Sequence, residues 1–561
     1  MTDPAASPAG PPPLRDELTD QHGSHDLDER GVRSGQALTV AEVAARHPRG
    51  SDAGAGEDGR GNKWLTLVAV CLGTFMLLLD VTIVNVALPD IQTTLHASFS
   101  DLQWIVDAYA LSLAALLLTS GSLADLYGRR RLYVLGLAIF TLASLVCGLA
   151  QTTLMLELSR VVQGIGGAIM FSVSLALLAD AFRGSDRGVA FGVWGAVTGL
   201  AVAIGPLLGG VLTSGLSWRW IFFVNLPIGI GATVLVVMKV RESRAPHARR
   251  PDWPGFVLFT VALASLVYGL IESNERSFGD GRVIAALVGA GVLLVAFTVV
   301  ESRRSSPMLD LTLFRKPTFT GGSVAAFGLS ASLFSLLLYL VLYLQDVLGF
   351  SALQTGLRLL LISVGILTTS TVAGRLTSHV PVRFLIGPGL ALVGVGLLLM
   401  RGLTASSEWT HLVPGMLVAG AGAGLVNPPL ASTAIGVVRP ENAGMASGIN
   451  STFRQVGIAT GIALLGTLFT SRVTETIMAG VHKIPQVSGQ QLATAVKSGA
   501  SQQASAAVPP DVRGQVTLLT RQAFVAGLDR IFLVGALIAF GSAVIAFAAI
   551  RSKDFAAQGH E

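Results

Sequence analysis

Gly121-Ser-Leu-Ala-Asp125-Leu-Tyr-Gly128-Arg129-Arg130-Arg131 stands between two apolar runs. Three arginines after an apolar run are accounted for by topology, because short cytoplasmic loops collect cations. An aspartate four residues ahead of Arg129, with a glycine turn between them, is not explained that way. The flanking runs are two of about fourteen between Trp64 and Ile550, each long enough to cross a bilayer's hydrocarbon core as a helix. The chain is therefore read as an all-α polytopic membrane protein with about fourteen transmembrane helices.

Composition fixes the same solvent. Hydrophobic residues make up 51% and charged residues 13%, with a mean hydropathy of +0.64, whereas soluble domains carry about 25% charged residues. A formal charge of +5 invites a nucleic-acid reading, but Lys and Arg sit in short loops between spans and form no stripe, so no nucleic-acid partner is expected. Cys71 and Cys147 fall inside spans and give neither a disulfide framework nor a CxxC site, so no metal is expected. Gly-rich runs such as 420–424 follow no strand, and no GxxxxGK[ST] loop occurs, which leaves helix packing as their use and argues against ATP hydrolysis by this chain.

Residues 1–62 are rich in Pro, Gly, Asp, Arg, Ala and Ser without periodicity and are expected to form a disordered cytoplasmic tail. With the amino terminus inside, the inner loops hold Arg129 to Arg131, Arg183 and Arg187, then Lys239 to Arg250, Arg303, Arg304, Arg315 and Lys316. The outer loops hold far fewer cations, which predicts that both termini are cytoplasmic and that the chain is a multi-pass protein of the cell membrane. Residues 471–521, rich in Gln, Ala, Ser and Thr, are expected to be one long outer loop.

The Gly121 to Arg131 stretch resembles, at nearly every position, the loop between the second and third helices of the major facilitator superfamily. Leu79-Asp80-Val-Thr82-Ile-Val-Asn85-Val-Ala-Leu-Pro89 and Arg160-Val-Val-Gln163-Gly164 resemble the first and fourth helices of its drug:proton antiporters. Gly205-Pro206-Leu-Leu-Gly209-Gly210 looks like the antiporter motif, and Trp218-Arg219-Trp220 to Asn225-Leu-Pro227 is similar to the segment after that motif in the fourteen-span branch. The resemblance implies a major facilitator fold of two six-helix bundles, 63–240 and 318–550, with two additional linker helices in 251–300 and a cytoplasmic tail at 551–561. It also implies that the bundles rock about a midplane site. Gly121, Asp125, Gly128 and Arg129 would then latch the cytoplasmic face, with Asp180 as a third charged member. Gly205, Pro206, Gly209 and Gly210 would form a gating interface against the opposing bundle.

Depth arithmetic from the residues alone points to one place. Asp80 lies nine residues before Pro89, and Arg160 six after Leu154, so at about 1.5 Å per residue each sits roughly 10 Å below the outer surface. Glu157, three residues before Arg160 on one helix face, would pair with that arginine or line a cavity nearer its mouth. None of the nine histidines lies in the middle of a span, so a proton carrier has to be a carboxylate, and Asp80 is the deepest. Desolvation favours its neutral form and Arg160 its charged form, so a motion that separates them would couple proton release to cavity orientation.

The thirteenth span carries Asn450, Arg454 and Gln455, a polar patch similar to one in the fourteen-span branch. The second-half echo of the Gly121 loop, Gly374 to Arg383, has Ser378 where the aspartate stood and Pro381 where the glycine stood. Phe75, Met76, Met170 and Phe171 are soft or aromatic side chains suited to a broad cavity, with packing as their ordinary alternative. Asn85, Asp107 and Gln163 complete the substrate-cavity candidates, while Trp104 and Tyr109 are read as membrane-belt aromatics. The expected function is non-enzymatic. A monomer would export small hydrophobic or amphipathic drugs in exchange for protons, with the proton gradient as its energy source and no cofactor. A dedicated carrier for one metabolite, amino acid or lipid precursor is the alternative.

Overall fold

The computed structural model describes residues 55–555, apart from 98, 245–251, 277, 305–306, 308, 378, 483, 485–486 and 498–500. The chain divides into two compact units, Met1–Gly56 and Glu57–Glu561, and the helical fold is that of the second. Most of the expected tail lies outside the described residues. Its stated end does not hold, because the first helix already begins at Ala55.

In lipid every backbone amide has to be satisfied within its own segment, so apolar runs of this length become helices. The described residues contain no strand. The helices in chain order are α1 (Ala55–Leu95), α2 (Phe99–Tyr127), α3 (Arg129–Gly148), α4 (Thr153–Ala181), α5 (Ser185–Gly215), α6 (Asn225–Lys239), α7 (Trp253–Arg276) and α8 (Gly281–Arg303). They continue with α9 (Pro317–Val347), α10 (Ala352–Leu376), α11 (Arg383–Leu399), α12 (Val413–Gly436), α13 (Ala443–Val481), α14 (Gly489–Lys497), α15 (Ser501–Ala506) and α16 (Pro510–Ala549). Among the described residues twelve helices are long and apolar enough to cross a membrane, and α11 is a shorter apolar one. α5 runs for 31 residues.

Local chemistry sets several of the boundaries. Thr152 accepts from the Met155 amide at the start of α4, and Ser351 with Gln354 forms a reciprocal capping box at the start of α10. Gly128 separates α2 from α3 with φ 109°, a conformation that side-chain-bearing residues rarely adopt.

The expected outer loop 471–521 is mostly helix. α13 continues to Val481, α14 and α15 come next, and α16 begins at Pro510. Hydropathy marks only the lipid-embedded part of a helix, whereas Ala and Gln propagate it into water. Leu492, Ala493 and Val496 of α14 are buried in the same core as α16.

Two sets of apolar cores divide the fold. One is drawn from residues between Ala325 and Ile550. The others are drawn from Leu67 to Val240, joined at one end by Ala431, Ile435 and Ala443. Glycines seat the two regions on each other. Gly188 and Gly192 of α5 meet Gly374 and Ser370 of α10, and Gly121 of α2 meets the backbone of Gly444 on α13. Small residues at four-residue spacing let helix backbones come this close. The α7–α8 hairpin packs through Phe259 on Phe297 and reaches α2 through the hydroxyls of Thr260 and Thr119, 3.2 Å apart.

Candidate functional site

Asp80 is fully buried on α1, and the structure brings Arg160 of α4 onto it as an ion pair. The depths worked out from the two helix ends agree with this contact. Its other carboxylate oxygen accepts from Gln163 Nε2 at 2.9 Å and from Asn225 Nδ2 at 3.0 Å. Arg160 also donates to Gln163 Oε1 at 2.8 Å and to the Ile105 carbonyl at 3.1 Å. Its guanidinium stacks over the Tyr109 ring, 4.1 Å from the centroid. Ser144 accepts from Asn225 at 3.0 Å and donates to the Phe222 carbonyl at 3.0 Å.

Five helices thus contribute to the cluster, two of them bonding to the carboxylate on α1, and each group bound directly to Asp80 is a donor. An ionised carboxylate only accepts hydrogen bonds, so these donors match it. Two polar atoms in the cluster have no partner among the described residues, Asn225 Oδ1 and the Tyr109 hydroxyl. Ser144 and Asn225 are site residues that sequence reasoning misses, and Tyr109 belongs here instead of in a membrane belt. Only Asn225 carries a signal, as a polar residue inside the Trp218 to Pro227 motif.

Glu157 does not join this cluster. It is half-buried and lines an apolar cavity of about 400 Å³ with Trp104, Ser112, Ile165 and Thr260. A turn before Arg160, its side chain leaves α4 on the side facing α2 and α7. A larger cavity, about 870 Å³, lies away from all of these groups, beside the Arg401–Asp529 ion pair.

The second charged cluster is at the other end of α2. Asp125 accepts from Arg129 Nη2 at 2.8 Å and Nε at 3.0 Å, and also from the backbone amides of Gly444 at 2.9 Å and Met445 at 2.8 Å. The carboxylate therefore caps the amino terminus of α13, where unpaired N–H groups and the helix dipole favour negative charge. Asp180 does not complete this network. It is exposed and forms no ion pair among the described residues. Glu242 occupies the neighbouring place, accepting from the backbone amides of Arg130 and Arg131 at 3.1 and 3.2 Å. A Cβ at Gly128 would run into that carboxylate.

Gly205 and Gly209 do not face the opposing half. A Cβ on Gly205 would strike Thr82, and one on Gly209 would press on Ile83, so both glycines receive α1. The face of α5 that meets the second half carries Gly188, Gly192, Gly195 and Gly199 instead. Gly210 accepts from Ser214 Oγ within α5. Pro206 and Asn85 lie in α5 and α1, while their side chains, like the whole of Ser378, fall outside the described residues.

Among the cavity candidates, Met76, Met170 and Phe171 are buried in a packed core, Phe171 stacked on Trp194 at 5.9 Å. Phe75 packs against a neighbouring core, and Asp107 is half-buried on α2. Asn450 and Arg454 are buried on α13, and Gln455 half-buried. Arg454 donates to Asn427 Oδ1 of α12 at 2.9 Å. No group of three His, Cys, Asp or Glu among the described residues is placed to hold a metal ion.

The sequence profile described as Major Facilitator Superfamily matches residues 70–462. A relative named multidrug resistance protein Stp, from Mycobacterium tuberculosis, is 38% identical over 414 residues, covering 74% of this chain and 77% of its own. The tetracenomycin C resistance and export protein of Streptomyces glaucescens is 34% identical over 509 residues, covering 87% and 91%. Among solved structures, the human organic anion transporter MFSD10 (TETRAN) has a TM-score of 0.58 at 17% identity, over 87% of this chain and 99% of that one. A bacterial homolog of the human lysosomal transporter Spinster, in an inward-facing and unoccupied conformation, has a TM-score of 0.53 at 18% identity, over 91% and 100%.

Proposed function

This chain belongs to the major facilitator superfamily, and from that premise we propose that it is a proton-coupled exporter of hydrophobic or amphipathic drugs, working by alternating access in the cell membrane. Relatives named for multidrug resistance and antibiotic export support the export reading. The observation that carries proton coupling is the fully buried Asp80 with its donors.

Protonating Asp80 removes the counter-charge of Arg160, and a buried guanidinium left without one costs several kcal/mol. Arg160 then has to find another acceptor. Asn225 Oδ1 and the Tyr109 hydroxyl, both unused in this arrangement, stand in the same cluster. Such a swing changes how α1 and α4 are tied together, which makes the protonation state an input to helix position. At the cytoplasmic end, Asp125 and Arg129 tie α2 to the start of α13 and hold that face shut. Fourteen crossings place both termini inside, with 63–240 and 318–550 as the two moving halves and 251–300 as an added pair.

The test is drug susceptibility and dye efflux in a pump-deficient host. Expression should raise tolerance and lower dye retention, and a protonophore should abolish both. A single compound moved out of a broad panel would favour a dedicated carrier instead.

A further inference from the structure

We propose that Arg454, with Asn427, Asn450 and Ser447, binds a carboxylate carried by an otherwise apolar substrate; this rests on the exporter reading and names the chemical class of its substrate. Three arginines are buried in the described helices, Arg129, Arg160 and Arg454. The first two are paired with Asp125 and Asp80. Arg454, 6% exposed, has no carboxylate partner among the described residues and donates to the neutral oxygen of Asn427.

Asn427 and the polar residues one and two turns before Arg454 on α13 share one deficiency with it. Arg454 Nε, Asn427 Nδ2, Asn450 Nδ2 and Ser447 Oγ are all buried and have no partner among the described residues. Three of these atoms can only donate, and the hydroxyl can donate as well, so what the site lacks is an acceptor. Ser447, Asn450 and Arg454 recur at three- and four-residue spacing and so share one stripe of α13. Arg454 is eleven residues beyond Ala443, about 16 Å along the helix and near the middle of a bilayer core about 30 Å thick. Asn427, which it holds, packs against Gly195 of α5. The cluster therefore lies where the two core-forming regions meet.

A lone positive charge at that depth is expensive unless it is used. One guanidinium is neutralised by one negative charge, so a monoanion fits, whereas a phosphate dianion would carry an excess charge into lipid. A guanidinium fork matches the two oxygens of a carboxylate, and the amides and hydroxyl supply further donors.

The test uses the full chain in lipid nanodiscs, with 1-pyrenebutyrate and its methyl ester as probes and fluorescence titration as the readout. The acid should bind about ten-fold or more tightly than the ester. Arg454→Gln should bring the acid down to the level of the ester, and Arg454→Lys should keep part of the preference, because it keeps charge but loses the fork. Asn427→Ala should shrink the preference about three-fold. If Arg454→Gln does not fold, as judged by its sedimentation profile, the lysine and alanine variants carry the comparison. Equal binding of acid and ester by the intact chain, binding of neither, or a preference that survives in Arg454→Gln overturns the proposal. Loss of dye efflux in cells would count against the exporter reading while leaving this titration readable.

Discussion

Asp80 and Arg160 stabilise each other only as a pair. Removing one partner of a buried ion pair leaves an unpaired charge and costs about 3–5 kcal/mol, whereas replacing both with neutral groups costs far less. Arg160→Gln should therefore lower the thermal unfolding midpoint more than the double variant Asp80→Asn, Arg160→Gln, measured on detergent-solubilised protein. A double variant no more stable than Arg160→Gln would mean that the pair does not balance its own charges. The pairing is legible in the sequence because two charges at equal depth in apolar helices have few other partners. Ser144 and Asn225 are not legible, since uncharged polar residues inside spans are common and their convergence emerges only when α3 and α6 are placed. Arg454 is visible as a polar residue, but its lack of an acid depends on what every neighbouring helix presents.

Between helices, the two halves repeat a contact that the loop sequences half conceal. Gly121 of α2 close-packs on Gly444 near the start of α13, and Gly374 of α10, in the corresponding loop of the second half, close-packs on Gly188 near the start of α5. The glycines are shared while the charges differ, because Asp125 caps α13. Gly121→Val would push a side chain into the Gly444 carbonyl and prevent closure at that end. Efflux should fall by about ten-fold or more while the Asp80 cluster stays intact, and spin labels on the α2 and α13 ends should move apart by several ångströms. Unchanged label distances would remove Gly121 from the closing contact. Asp125→Ala should give the same separation, because it strips both Arg129 and the α13 amides of their acceptor. The glycine pattern of α5 announces close packing but not its partner, which is why the sequence sends Gly205 and Gly209 to the opposing half although they receive α1. The 471–521 segment misleads for a related reason, since hydropathy is silent about a helix once it leaves lipid.

For the whole molecule, the proposed coupling requires one charge state to decide which way the halves face. Asp80 is bonded by Arg160, Gln163 and Asn225, while Asp125 holds α2 to α13 at the other end. Fold class is legible from the number and length of the apolar runs and the Gly121 to Arg131 stretch, and the profile match over 70–462 places the chain in its family. The most direct test of proton coupling uses inverted membrane vesicles energised with a proton gradient and a fluorescent dye that the intact chain extrudes from cells, comparing the intact chain with Asp80→Asn. The intact chain should accumulate the dye and lose it on adding a protonophore, and Asp80→Asn should accumulate it at about a tenth of the rate or less. Full, protonophore-sensitive accumulation by Asp80→Asn would contradict the account.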